Sequence, residues 1–253
     1  MFSQENYPAD KVVNSFGVQD DFLYDYAIPV LNQRAATGQP FFATLLSISN
    51  HPPYVIPPFF HPKTSEPETQ IVEYADWALR QFFEEARKQP WFDNTIFVLE
   101  GDHGKLVGDA ECELPESYNH IPLMIYSSRI QPEEKTTFGG QVDIQPTILG
   151  LLNIDYLQNN FGVDLLKEER PCMFYTADNM VVGRNDTLLY LYNYETQQEL
   201  TYDIGNGKLN AVPMDDSFLP LKEYSFSMLQ SAEFLVKHGK TLNSIPFTLS
   251  LIH

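Results

Sequence analysis

The sequence predicts an α/β fold: a mixed, largely parallel central sheet flanked by helices, with a small antiparallel strand region toward the carboxyl end. Three observations carry this. Apolar runs of strand length recur at 41–49 (FFATLLSIS), within 94–104 (NTIFVLEGDHG) and at 121–127 (IPLMIYS), and the first, an unbroken run, suits a strand buried on both faces. Between the first two, residues 68–88 set Ile71, Tyr74, Ala75, Ala78, Leu79 and Phe82 three or four positions apart, which marks an amphipathic helix. Beyond about Gly162, the segments MFYTA, MVVGR, TLLYLYNYE and ELTYDIG read as short strands separated by Asn, Asp and Gly turns.

The remaining elements fill in around these. Residues 20–31 (DDFLYDYAIPVL) open on acidic residues and continue with helical apolar spacing, so a short helix is expected, with Pro29 ending or bending it. A turn-like Thr37-Gly38-Gln39-Pro40 then leads into the first core strand, and Pro90 closes the amphipathic helix. After the third strand, 142–152 (VDIQPTILGLL) reads as a short helix opening near Asp143. Residues 219–238 read as a closing helix, and the last fifteen residues receive no assignment.

Composition narrows the function classes. At 253 residues and 43% hydrophobic content the chain can bury a sizeable core. A formal net charge of -18 argues against nucleic acid or an anionic lipid surface as partner, because little counterion release is available to it. An acidic protein that handles an anionic substrate needs local positive charge, which a bound divalent cation supplies. Cys112 and Cys172 are far apart and outside any CxxC spacing, so neither a disulfide framework nor a thiolate zinc site is indicated. No apolar run is long enough to span a bilayer, and MFSQENYPAD lacks the charged and apolar regions of a signal peptide.

Three polar pairs sit at the ends of expected core strands: Asn50-His51, Asp102-His103 and Asn119-His120. Ligands of open α/β sheets bind in the crevice outside the carboxyl ends of strands, where such loops converge. A carboxylate beside an imidazole suits a divalent transition metal, so Asp102 and His103 are candidate ligands. The plain alternatives stand beside this: Asp102 as a helix cap with His103 on the surface, His51 as a loop residue next to Pro52-Pro53, and His120 as a capping histidine at a strand start. His61, His238 and His253 have no strand-end setting and are read as structural.

The segments FFATLLSISNHPPY, YADWALRQFFEEARKQPWFDNTIFVLEGDHG, NHIPLMIYSS and GGQVDIQPTILGLLNI, in this order, resemble the second half of the catalytic domain in the lipoteichoic acid synthase-like branch of the sulfatase and alkaline phosphatase superfamily. VVNSFGVQDDFLYDYAIPVL resembles the segment that precedes the SNH-type motif there. The resemblance covers roughly residues 12–166, and four ordered motifs are far more specific than one dipeptide. It implies a partial sulfatase-like domain: 1–166 as the carboxyl-terminal half of the core, and 167–253 as a strand subdomain and closing helix of the same domain.

By that resemblance, Asp102 and His103 match the metal ligands of the DHG motif, and His51 matches the substrate-binding histidine of the SNH motif. His120 matches more loosely a substrate-contacting histidine of phosphoethanolamine-transferase relatives. The implied cofactor is a divalent cation, Mn or Zn, with Mg or Ca as further options. The implied reaction is hydrolysis of a phosphate or sulfate ester, or transfer of a phosphoglycerol-type group, on a substrate that is lipid- or glycan-linked in this branch. No Thr or Ser here follows a strand in the family's nucleophile pattern, so no nucleophile is assigned. The missing amino-terminal half of the same protein is the expected partner, and this chain alone is expected to be inactive. An extracytoplasmic domain of a membrane-anchored protein is implied by resemblance only. Two rivals remain: a non-catalytic binding or regulatory module with the same fold, and a phosphomutase-like enzyme, which needs a second cluster of paired Asp and His ligands.

Overall fold

The structure is a computed structural model and describes residues 2–106 and 109–241. These fall into two compact units, one of residues up to 99 together with 123–131, the other of 100–122 together with the chain from 132 onward. His253 lies outside the described residues.

The first unit begins with an antiparallel ribbon of β1 (Val12–Asn14) and β2 (Gly17–Val18). Two helices follow, α1 (Asp20–Ala35) and α2 (Pro67–Ala86). Pro67 stands at the start of α2, where its missing N–H costs no helical bond. The apolar spacing read from the sequence is the buried stripe: Ile71, Tyr74 and Ala78 are fully shielded and Phe82 nearly so. Ala27 and Leu31 of α1 meet Phe82, Ala86, Trp91 and Phe92 in one core cluster. Trp91 donates its indole N–H to Asn32 Oδ1 at 2.6 Å, which satisfies the polar end of a buried ring. Truncating Phe82 to alanine there should cost about 3–5 kcal/mol, as for other core aromatics.

Two expectations need correction here. Pro29 does not end α1, which runs on to Ala35. The hydrogen bond that Pro29 cannot make would go to the Asp25 carbonyl, and both residues lie on the exposed face of the helix, where water can serve that oxygen. Residues 41–49 are not a strand, and they are not buried on both faces: Phe42 is 93% exposed and Leu46 72%. An apolar run records a demand for burial but does not supply the neighbouring backbone that a ladder requires. The other two expected strands exist, as β3 (Phe97–Glu100) and β4 (Leu123–Tyr126), and they pair with each other in a two-stranded sheet, but they are not the buried core strands expected: β3 alternates half-buried and exposed residues, and in β4 only Ile125 is half-buried.

The second unit contains α3 (Ile144–Leu151), entered through a single 3-10 turn at Gln141–Asp143. It also holds a five-stranded antiparallel meander, β5 (Met173–Ala177), β6 (Met180–Arg184), β7 (Leu188–Asn193), β8 (Gln198–Asp203) and β9 (Asn210–Ala211), and then α4 (Leu219–Lys237). The largest described sheet is therefore antiparallel, and a largely parallel central sheet is not found among the described residues. The short β5–β6 connection works because Asp178 and Asn179 both take positive φ, 45° and 64°, as a tight hairpin turn demands.

Side chains of β7 alternate between two cores with the period of two that a strand imposes. Leu189 and Leu191 join Met180, Val182, Tyr202 and Leu114 on one face. Tyr190, flanked by Leu188 and Tyr192, meets Phe218 and Leu221 at the start of α4 on the other. A Cβ on Gly183 would press against the Ser225 hydroxyl and the Leu221 carbonyl, so glycine at that position lets α4 lie close on β6.

Candidate functional site

Asp102 and His103 leave the end of β3 in an open loop, with side chains 78% and 69% exposed. The loop closes on itself: the Asp102 carboxylate accepts the His103 backbone N–H at 3.0 Å. His103 Nδ1 lies 2.7 Å from the Gly104 carbonyl oxygen. A carbonyl can only accept, so Nδ1 carries a proton, and in the neutral ring the lone pair is on Nε2. That is the arrangement of a metal-binding histidine, whose remote ring N–H is anchored on a backbone oxygen.

His103 Nε2 stands 3.8 Å from Asp102 Oδ2. Two donors held by one tetrahedral cation at ordinary bond lengths would be about 3.4 Å apart, so a small rotation brings this pair to a shared ion. Hard carboxylate and borderline imidazole suit a divalent cation, and both atoms are accessible to one. Among the described residues no group of three or more His, Cys, Asp or Glu is placed to hold a metal ion.

Gly104 fixes the far side of the loop. Its N–H donates to the Tyr118 carbonyl at 2.8 Å, and any Cβ at this position would overlap the Ser117 carbonyl oxygen. Only glycine allows the DHG loop to lie this close to residues 116–120. His120 belongs to that neighbouring segment, where its N–H donates to the Glu116 carbonyl at 2.8 Å and its side chain is exposed. The structure thus brings Asp102 and His103 together, while His120 does not join them in a ligand cluster.

His51 lies in the first unit, in the turn after Asn50, where its N–H donates to the Ile48 carbonyl at 3.0 Å. Its Nδ1 is 2.7 Å from the Pro52 carbonyl oxygen, so this ring too presents a free Nε2. The imidazole rests on Phe16 at a centroid distance of 4.0 Å and a tilt of 42°.

The turn is tied to the start of α1 by Asp20, which is 2% exposed. The Asp20 carboxylate accepts backbone N–H groups of Ile48 and Ser49 at 2.9 and 3.0 Å. Gln19 grips both ends of the loop, accepting from the Ser49 hydroxyl at 3.0 Å and donating to the Val55 carbonyl at 2.7 Å. Burial pushes the Asp20 carboxyl above its ordinary range, against the hydrogen bonds from Ile48 and Ser49 that pull it down. The neighbouring Tyr24 hydroxyl is pushed up to about 12, first by burial and then by the Asp20 charge.

The sulfatase family model matches residues 2–154. The chain belongs to the sulfatase family. Within it, the chain is 27% identical over 221 residues to lipoteichoic acid synthase 1 of Bacillus subtilis, covering 79% of this chain and 33% of that protein. It is 28% identical over 182 residues to lipoteichoic acid synthase of Staphylococcus saprophyticus, covering 62% of this chain and 27% of that one. This sulfatase-family chain spans about a third of the length of the curated relatives it matches. A solved structure of an alkaline phosphatase superfamily protein from Vibrio parahaemolyticus superposes with a TM-score of 0.79 at 25% identity, covering 94% of this chain and 59% of that one. A lipoteichoic acid synthase from Listeria monocytogenes does so at 0.74 and 22%, covering 92% and 62%. The fold is therefore the α/β fold of the alkaline phosphatase and sulfatase group.

Residues that hold the loops were less visible in the sequence than residues that carry chemistry. Asp20 was legible only as an acidic helix start. The buried pair of Asp143, fully shielded, and Arg170, whose side chain is 8% exposed, had no local signal, because its partners are 27 residues apart.

Proposed function

We propose that the protein containing this chain is a metal-dependent phosphate or sulfate ester hydrolase, or a phosphoglycerol-type transferase, in which this chain supplies two metal ligands and a substrate-binding histidine. The observation that carries this is the Asp102–His103 pair, with His103 Nε2 freed by its Nδ1 anchor and set 3.8 Å from Asp102 Oδ2, in a chain of the sulfatase family. Metal dependence is general in that superfamily.

Asp102 and His103 would hold a divalent cation, Mn or Zn being the best match to one carboxylate and one imidazole. A bound cation would polarise the ester oxygen and lower the pKa of the nucleophile. His51 would act through Nε2, accepting a proton in the neutral form or, as the imidazolium, donating to a non-bridging oxygen or the leaving group, and His120 is the weaker candidate for the same role. The nucleophile and the remaining ligands would come from the amino-terminal half of the same protein. The exposed apolar segment at 41–49 favours that view, since Phe42 and Leu46 are the kind of side chain a neighbouring element covers.

On this reading residues 1–166 and 167–253 are parts of one catalytic domain, inactive alone. Transmembrane segments would lie elsewhere in the protein, with the catalytic domain extracytoplasmic as in lipoteichoic acid synthases. No helix among the described residues is long and apolar enough to cross a membrane.

Elemental analysis of the whole protein tests the core of the proposal. The Asp102→Ala, His103→Ala double variant should lose most of the bound metal that the wild type retains through gel filtration. Equal metal content in the two proteins would remove these residues from the ligand set and favour a non-catalytic module.

A further inference from the structure

Gln141, which the sequence marks only as the residue before a short helix, reaches back to the loop that carries Asp102. Its side-chain amide donates to the Gly101 carbonyl at 3.2 Å and to the Asp102 carbonyl at 3.0 Å. One Nε2 group thus grips the two peptide oxygens on either side of the Asp102 Cα, so the plane from which the carboxylate projects is fixed by a residue 39 positions later.

Gln141 is itself held by a rigid node. The Asp143 carboxylate accepts from four donors: the Gly140 N–H at 2.8 Å, the Val163 N–H at 2.8 Å, Arg170 Nε at 2.7 Å, and Arg170 Nη2. Arg170 Nη2 also donates to the Phe161 carbonyl at 2.7 Å, and Nη1 reaches the Tyr224 hydroxyl of α4 at 3.4 Å. Thr147 in α3 donates to the Asp143 carbonyl at 2.7 Å and accepts the Leu165 N–H at 3.0 Å. Every polar atom of the Asp143 carboxylate is thereby satisfied in a fully buried place. A satisfied buried network of this kind has one arrangement rather than several. The turn Gln141–Asp143 inherits that rigidity, and the Gln141 amide passes it to the DHG loop.

We infer that Gln141 is a positioning residue for the metal ligands, setting the Asp102–His103 loop through its two carbonyl contacts, with the Asp143–Arg170 pair as its anchor. The inference rests on the reading of Asp102 and His103 as ligands. Both side chains of that pair are mostly exposed and have few contacts of their own to hold them. Without Gln141 the loop keeps its Gly104 tie to Tyr118 but loses the grip on the Asp102 peptide. Support of this outer kind is worth about 10–100-fold in metal affinity in sites where it has been removed.

The test uses the whole protein and titrates Mn²⁺ by its electron paramagnetic resonance signal, with the melting midpoint of the metal-free protein measured in parallel. Gln141→Leu removes the donor at nearly constant volume, and Gln141→Asn keeps the amide but withdraws it by one methylene. Both variants should weaken the Mn²⁺ dissociation constant by about 10–100-fold while the metal-free midpoint stays at the wild-type value. An unchanged dissociation constant overturns the inference, and so does a midpoint that falls in step with affinity or a pair of variants that fail to fold, since either assigns Gln141 a merely structural role. Asp102→Ala separates the two levels. If it weakens Mn²⁺ binding and the Gln141 variants do not, only the positioning role fails; if it too has no effect, the ligand reading falls and takes this inference with it.

Discussion

Asp20 and Ser49 bond to each other in both directions: the Asp20 N–H donates to the Ser49 hydroxyl at 3.1 Å, and the Ser49 N–H donates to the Asp20 carboxylate at 3.0 Å. The exchange resembles a capping box. Here the two partners are 29 residues apart, so what is capped is also a tertiary joint between the start of α1 and the turn that presents His51. Through it a helix terminus fixes a loop that has no strand pairing of its own.

Replacing Asp20 with alanine should therefore destabilise more than loss of an ordinary helix cap. Two backbone N–H groups, of Ile48 and Ser49, would be left in a poorly solvated place. Such orphaned donors cost about 1–3 kcal/mol in sum with the lost bonds. Ser49→Ala removes only the hydroxyl contacts and should cost about 1 kcal/mol. Urea unfolding of the three proteins checks the order. Equal midpoints for Asp20→Ala and Ser49→Ala would show that the carboxylate contacts are made to groups already served by water.

The same carboxyl makes a pH prediction with a definite sign. Burial raises its folded-state pKa above the ordinary value. Between the unfolded and folded values the native protein holds a proton that the unfolded chain has released. The contribution of Asp20 to stability is therefore fully present below the unfolded pKa and is lost as pH rises through the folded one. Relative to Asp20→Asn, which does not titrate, the wild type should gain stability as pH is lowered from neutral into that window. Urea midpoints of both proteins at stepped pH read the difference, and a wild type that loses stability relative to Asp20→Asn on acidification would show that the Ile48 and Ser49 hydrogen bonds outweigh burial.

What was legible in the sequence follows a physical divide. Helix α2 could be read because its buried stripe, Ile71, Tyr74, Ala78 and Phe82, is written at helical spacing in consecutive turns. The strands β5 to β8 could be read because turn residues punctuate them. Asp102 and His103 stood out as candidates because glycine brackets them at a strand's end. Residues 41–49 misled because strand formation depends on partners that no local pattern names. Asp20, Asp143 and Arg170 stayed hidden for a related reason: a buried polar network is defined by who meets whom across 27 or 29 residues, and composition near each member says nothing of it.

The Asp143–Arg170 pair should be expensive to break and is not a simple source of stability. Arg170→Ala would leave the Asp143 charge fully buried with only two backbone donors, Gly140 and Val163. Removing one partner of a buried ion pair costs about 3–5 kcal/mol. The Asp143 hydrogen bond holds the Arg170 guanidinium firmly in its charged form, so no accessible pH should break the wild-type contact by deprotonating the arginine. Arg170→Lys keeps the charge but cannot make the two-pronged contact, and should fall between wild type and alanine. Chemical denaturation of the three proteins gives the comparison, and an alanine variant as stable as wild type would mean that the vacated space admits water.

His51→Ala should act on chemistry and not on metal. In the whole protein the His51 ring, with Nδ1 committed to the Pro52 carbonyl and one face on Phe16, offers only Nε2 to a substrate. A preorganised group of that kind, aimed at a transferred phosphoryl or sulfuryl oxygen, contributes by being in place before charge develops. Donation from Nε2 takes the imidazolium form, because the Nδ1–H is committed to Pro52, and loss of that donor should lower kcat by about 10²–10³, by analogy with deletion of one oxyanion-hole donor. Metal content should stay at the wild-type level, because the proposed ligands are Asp102 and His103. Phe16→Ala, which removes the surface the imidazole rests on but no polar atom, should give a smaller loss in the same direction. Steady-state turnover of an aryl phosphate or sulfate ester, with bound metal measured on the same samples, distinguishes the cases. Near-normal turnover in His51→Ala, or a defect repaired by excess metal, would move His51 out of the substrate role and into structure or ligation.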